Sequence, residues 1–262
     1  MIKLGGSLIT DKSISKGLDK RSLDGACSIV RSIIDLDFVP IIIHGAGSFG
    51  HILAKEWGIQ NGADPEVIEG QRKAVREIRQ DMRELSSFVI ASLGGNGVRA
   101  EMLPPSYWAN GTGPYFEGEV DEFARNREEM VPVTFGDVVD VQGATEFGIL
   151  SGDDLMLRIS KEVPEVTHSI FLMNGADGVL DKPPGKGGEL VRVFGSDTEI
   201  EHEHESDVDV TGGIALKIDR AKEIAEVIGE VWIINGNEPA RLLELLTDGN
   251  TIGTKIISGR GT

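Results

Sequence analysis

Phe38-Val39-Pro40-Ile41-Ile42-Ile43-His44-Gly45-Ala46-Gly47-Ser48-Phe49-Gly50-His51 is the stretch that decides how this chain folds. Phe38 to Ile43 is apolar on both faces, the pattern of a parallel strand covered by helices on each side. The glycines that follow run straight into a predicted helix over about 48–57. Such a junction aims unpaired N–H groups and the positive end of a helix at one spot. It also lies at a strand's carboxyl end, where open α/β sheets take their ligands. His51, in the first helical turn, can add a charged donor toward a bound phosphate. The same residues also read as a plain glycine-rich connection with a surface histidine.

The rest of the chain repeats the alternation. Strand-like runs are Ile2 to Leu4, Val98 to Leu103, Val131 to Thr134, Thr167 to Met173, Val231 to Ile234 and Thr251 to Ile256. Helical periodicity covers about 20–36, with Leu23, Cys27, Val30 and Ile34 on one face. It returns over about 65–92, 153–162, 213–228 and 238–247. Strands alternating with helices predict an α/β fold with a mainly parallel, doubly wound sheet. Residues 138–141 and 147–150 flank a plausible hairpin loop, and residues 182–209, rich in Pro, Gly and acid, read as an exposed excursion. No linker separates independent domains, so one domain of two lobes is expected.

Composition narrows the class. The 262 residues carry 43 acidic and 26 basic side chains, a net charge of −17, which argues against a nucleic-acid-coating protein or one bound to anionic membrane. One cysteine excludes a disulfide framework and a cysteine-based metal cluster, and Cys27 reads as core. No uncharged apolar run reaches a membrane-spanning length. The first residues lack a signal-peptide core, so a soluble, cytoplasmic protein is expected. His202 and His204, interleaved with glutamates, read as a solvated acidic loop, and no resident metal is expected. Glycine, at 34 of 262 residues, far exceeds the usual share of about 7% and calls for functional loops.

Three further loops accommodate that excess. Lys3-Leu4-Gly5-Gly6-Ser7-Leu8-Ile9-Thr10-Asp11-Lys12 puts glycines after a short strand and brackets them with lysines, without the spacing of a P-loop. Ser151-Gly152-Asp153-Asp154 opens a predicted helix; one carboxylate serves as a cap and the other is free to orient lysines. Asp209-Val210-Thr211-Gly212-Gly213-Ile214-Ala215-Leu216-Lys217 again sets a lysine about one turn into a helix behind a glycine pair. Each loop alone is a weak signal. Together, several N–H-presenting loops and separated lysines suit phosphoryl transfer, in which positioning and charge neutralisation do most of the work.

These motifs, with Gly136-Asp137-Val138, resemble those of the amino acid kinase superfamily, and within it the isopentenyl phosphate kinases. The resemblance runs from residue 1 to about 256. It implies a three-layer α/β sandwich in which about 1–165 hold the acceptor and about 166–262 the nucleotide. It implies transfer of phosphate from ATP, with Mg²⁺, to isopentenyl phosphate in isoprenoid synthesis, and a homodimer. By position, Lys3, Gly5, Gly6 and Ser7 would meet the ATP phosphates, and Lys12 and Lys217 would stabilise the transferring group. Ala46, Gly47 and Gly50 would bring main-chain N–H groups to the phosphates. His51 would bind the acceptor phosphate, with Gly152 beside the substrate and Asp154 holding the lysines. Asp177, Gly178, Gly213 and Lys217 would lie on the nucleotide side. A helix carrying Val75, Ile78 and Met82 could wall the apolar tail. The chain departs from the family's Thr-Asp-Val-Asp-Gly by reading Asn174-Gly175-Ala176-Asp177-Gly178. Ala46 stands where many members have glycine, and Ala215 and Leu216 replace smaller or polar residues. A fosfomycin kinase-like enzyme, another small-acid kinase or a silent nucleotide-binding regulator are the competing readings.

Overall fold

The apolar strands of the sequence pair into one eight-stranded sheet. Its order is Val193–Phe194, Thr254–Ile256, Glu230–Asn235, His168–Met173, Ile2–Leu4, Ile42–His44, Val131–Phe135 and Ala100–Met102. The six strands from Glu230–Asn235 to Ala100–Met102 run parallel; Thr254–Ile256 pairs antiparallel with Glu230–Asn235, and the edge strand Val193–Phe194 runs parallel to Thr254–Ile256. The computed structural model describes residues 1–11, 13–124, 130–182, 186–195, 198 and 213–258.

Strand alternation sorts the core into two layers. Ile2, Leu4, Ile42, Phe135, Ile170, Leu172 and Ile234 face one side, under helices Lys20–Ser28, Val30–Asp35, Gly47–Glu56, Ile68–Gly95 and Ala240–Asp248. Ile41, Ile43, Phe171, Val231 and Ile233 face the other, under Gly152–Glu162 and Gly213–Ala225. The result is the expected three-layer α/β sandwich. Among the described residues no helix is long and apolar enough to cross a membrane.

Three details differ from the sequence reading. The helix expected over 20–36 is interrupted at Ile29, where the Ser28 hydroxyl donates back to Gly25 O (2.7 Å) and competes with the helical ladder. The hairpin forms as Asp137–Asp140 against Phe147–Leu150, but it belongs to a separate four-stranded sheet completed by Ala109–Asn110 and Glu117–Gly118. Part of the 182–209 excursion is not exposed: Phe194 is buried and its strand closes the sheet edge. His202 and His204 lie outside the described residues.

Candidate active site

The cleft opens at the carboxyl ends of the central strands, and its floor is a buried charge cluster. Lys3 is the odd-numbered residue of its strand, so its side chain points to the layer covered by helices Gly152–Glu162 and Gly213–Ala225. Those helices deliver its partners. Lys3 Nζ lies 2.5 Å from Asp153 Oδ1, and Lys217 Nζ lies 3.3 Å from the same oxygen. Lys3 and Asp153 are each only 5% exposed. Burial, aided by the nearby Lys217 ammonium, lowers the Lys3 pKa to about 8 against the pull of Asp153. Burial works to raise the Asp153 carboxyl, but Lys217 and Lys3 overcome it and hold the group below the usual carboxylate range. Two ammonium groups thus share one carboxylate in a low-dielectric floor, leaving an excess positive charge suited to an anion.

Two glycine loops form the rim. The strand Ile2–Leu4 enters the turn Gly6–Ile9, and the strand Ile42–His44 enters the helix Gly47–Glu56. They touch backbone to backbone: a Cβ on Gly45 would fall 2.6 Å from Gly6 N, and one on Gly6 would strike Gly47 N. Glycine is required at this contact for that reason. The cleft encloses about 220 Å³. Its lining joins the lysine floor, His51 and the apolar side chains of Ala54, Ile78, Met82 and Ile149.

The sequence profile of the amino acid kinase family matches residues 1–235. The chain belongs to the amino acid kinase family. It is 31% identical over 261 residues to the isopentenyl phosphate kinase of Thermoplasma acidophilum, covering 98% of this chain and 99% of that protein. It is 32% identical over 264 residues to the isopentenyl phosphate kinase of Methanothermobacter thermautotrophicus, with 98% of each chain covered. A solved product complex of the T. acidophilum isopentenyl phosphate kinase superposes with a TM-score of 0.79 at 27% identity, covering 97% of this chain and 98% of that one.

Against this amino acid kinase framework, most residues singled out from sequence converge on the cleft. Lys3, Gly5, Gly6, Ser7, Ala46, Gly47, Gly50, His51, Gly152, Gly213 and Lys217 all line it. Ile78 and Met82 line the apolar wall, whereas Val75 packs in the core. Lys12 lies outside the described residues. Asp177 and Gly178 are not among the cleft-lining residues. Asp177 accepts from Arg241 (2.6 Å) and Asn235 (3.3 Å), and these bonds hold its carboxyl below the usual range. Gly178 packs on Thr254.

Asp154 requires a correction. Its carboxylate faces Arg220 Nε (2.7 Å) and accepts from the Ser151 hydroxyl (2.7 Å); the carboxylate between the lysines is that of Asp153. The pattern Ser151-Gly152-Asp153-Asp154 holds the signal that separates them. Ser151 is the N-cap and accepts from Asp154 N (3.0 Å), so the residue three positions on is committed to the cap and its neighbour is free. Two other cleft residues were not singled out. Asn174 donates to Ser7 O (2.9 Å) and accepts from Asn237 (2.7 Å), tying the first glycine loop to the neighbouring strand ends. Asp137 is buried and accepts from Ser106 N (3.1 Å) and Val138 N (2.9 Å).

Proposed function

We propose that this protein transfers the γ-phosphoryl group of ATP to isopentenyl phosphate, forming isopentenyl diphosphate and ADP. The observation that carries the reading is the make-up of the cleft: two lysines to one buried carboxylate, lined together with His51 and a set of apolar side chains. An anionic head with a short aliphatic tail fits that lining. The relatives named isopentenyl phosphate kinase, matched over nearly their full length, support the same acceptor.

A phosphate monoester is already an anionic nucleophile near neutral pH, so its oxygen attacks the γ-phosphorus without a general base. Lys3 and Lys217, with Lys12, neutralise the charge that spreads over the transferring oxygens, and Asp153 fixes the first two lysines. His51 holds the acceptor phosphate. Gly5, Gly6 and Ser7 receive the nucleotide phosphates, Ala46, Gly47, Gly50 and Gly152 lie against the acceptor, and Gly213, Asp177 and Gly178 belong to the nucleotide side. In this reading about 1–165 form the acceptor lobe and about 166–262 the nucleotide lobe. Mg²⁺ would enter with ATP and lower the charge of its phosphates; the excess positive charge on the cleft floor, from Lys3 and Lys217 about Asp153, fits such a polyphosphate. The enzyme works as a cytoplasmic homodimer.

The test is an ADP-release assay with isopentenyl phosphate, fosfomycin and glutamate side by side. Turnover of isopentenyl phosphate well above the other two is expected. A preference for fosfomycin or glutamate, or no turnover at saturating Mg-ATP, contradicts the reading.

A further inference from the structure

Thr10 joins the two glycine loops through its side chain. Its hydroxyl donates to Gly6 O (2.7 Å) in the first loop and accepts the Ser48 N–H (3.0 Å) from the helix that ends the second. Thr10 and Ser48 are both buried. Ser48 also donates its own hydroxyl to Gly17 O (3.2 Å), and its carbonyl accepts from Lys16 N (3.4 Å). Gly17–Leu18 pairs antiparallel with Thr10–Asp11, and Lys16 Nζ reaches Asp81 of the long helix at 2.5 Å. The Thr10 side chain occupies the place a Cβ on Gly47 would take, and Gly47 stands at φ +51°, where a side chain is strained in any case.

We propose that Thr10 is a positioning residue that sets the spacing between the loop taking the nucleotide phosphates and the loop taking the acceptor phosphate. The inference rests on the phosphoryl-transfer reading above. Each loop keeps its own N–H groups, and the lysine floor is anchored elsewhere, so neither substrate's binding depends on Thr10. What depends on it is the distance between attacking oxygen and phosphorus. A misplacement of about 1 Å at such a site costs about a hundredfold in rate. Loss of the hydroxyl therefore lowers kcat rather than raising either KM.

The experiment compares Thr10→Val, which keeps shape and removes the hydroxyl, with Thr10→Ser, which restores it. Kinetics with ATP and isopentenyl phosphate are paired with amide hydrogen exchange over 5–10 and 45–50. For Thr10→Val, kcat falls about 30- to 100-fold, each KM stays within about threefold, and both loops exchange faster. Thr10→Ser returns kcat to within about threefold of the parent protein and restores protection in both loops. An unchanged kcat in Thr10→Val, a loss confined to one KM, or a Thr10→Ser no better than Thr10→Val overturns the proposal. Where valine prevents folding, Thr10→Ala removes the same hydroxyl and is read the same way. Hydrogen exchange separates this inference from the function itself. A parent protein that turns over no isopentenyl phosphate refutes the acceptor assignment, whereas unchanged exchange over 45–50 on loss of the hydroxyl refutes the clamp.

Discussion

The two ends of the central sheet both open into hollows, and among the described residues the paired lysines and the glycine loops gather at one of them. At the amino ends a groove of about 760 Å³ lies beside Met1, Phe38, Val39 and Val166. At the carboxyl ends the cleft encloses about 220 Å³ and gathers Lys3, Lys217, Asp153 and His51 beneath two glycine loops. Volume favours the wrong end. Strand polarity and convergent charge favour the other, because parallel strands release their loops, and the helix N-termini those loops lead to, at the carboxyl edge. A site is recognised by what its walls can neutralise and orient.

The largest effect that would test this contrast comes from the floor. Asp153→Asn leaves the buried Lys3 and the half-buried Lys217 ammonium groups without their shared counter-charge and lowers kcat about a thousandfold. Asp154→Asn, one residue away but paired with Arg220 and Ser151, keeps kcat within about threefold and lowers Tm instead. Steady-state kinetics beside thermal melts separate the two; equal kinetic losses would erase the distinction. Next, His51→Ala raises the KM for the acceptor about thirtyfold and the KM for ATP by no more than about twofold. Equal losses for both ligands would show that the histidine serves neither phosphate selectively.

A smaller effect follows from the depressed pKa of Lys3, about 8. Below that pH the ammonium carries its charge in the free enzyme and attracts the nucleotide; as pH rises through it the charge is lost. kcat/KM for ATP therefore falls about tenfold from about pH 7 to about pH 9, and bound phosphate, by favouring the ammonium, flattens the kcat profile over the same window. A kcat/KM flat over that window would mean that Lys3 stays charged. The smallest effect belongs to the amino-end groove: Val39→Thr, at a position 47% exposed, leaves kcat and both KM values within about twofold. A large kinetic loss there would mean that the larger hollow takes part after all.

Much of this was legible in the sequence. The run Phe38 to Ile43 announced a covered parallel strand, though the strand itself is Ile42–His44 and Val39, before it, is exposed; the glycines behind it announced a loop packed too tightly for side chains. Lys3 and Lys217, distant in sequence, were each marked by a glycine pair, the first behind a short strand and the second at the opening of a helix. Less legible was the choice between adjacent aspartates. Composition treats Asp153 and Asp154 alike, and only the commitment of the third position after Ser151 to the N-cap divides them. The link from Thr10 to Ser48 was not legible at all. It depends on two loops 38 positions apart meeting backbone to backbone, a distance no local pattern encodes. His44 shows the same limit. It sits in the same glycine stretch as His51 but is the last residue of the strand and pairs in register with Leu4, so its ring packs into the core against Phe135, where burial lowers its pKa to about 4.

The most direct test of the central claim is phosphorus NMR of the protein with Mg-ATP and isopentenyl phosphate. The monoester resonance is expected to give way to the paired resonances of a diphosphate ester as ATP becomes ADP, with one equivalent consumed of each. ATP converted to ADP and inorganic phosphate with the monoester untouched, or no change in either substrate, would contradict it.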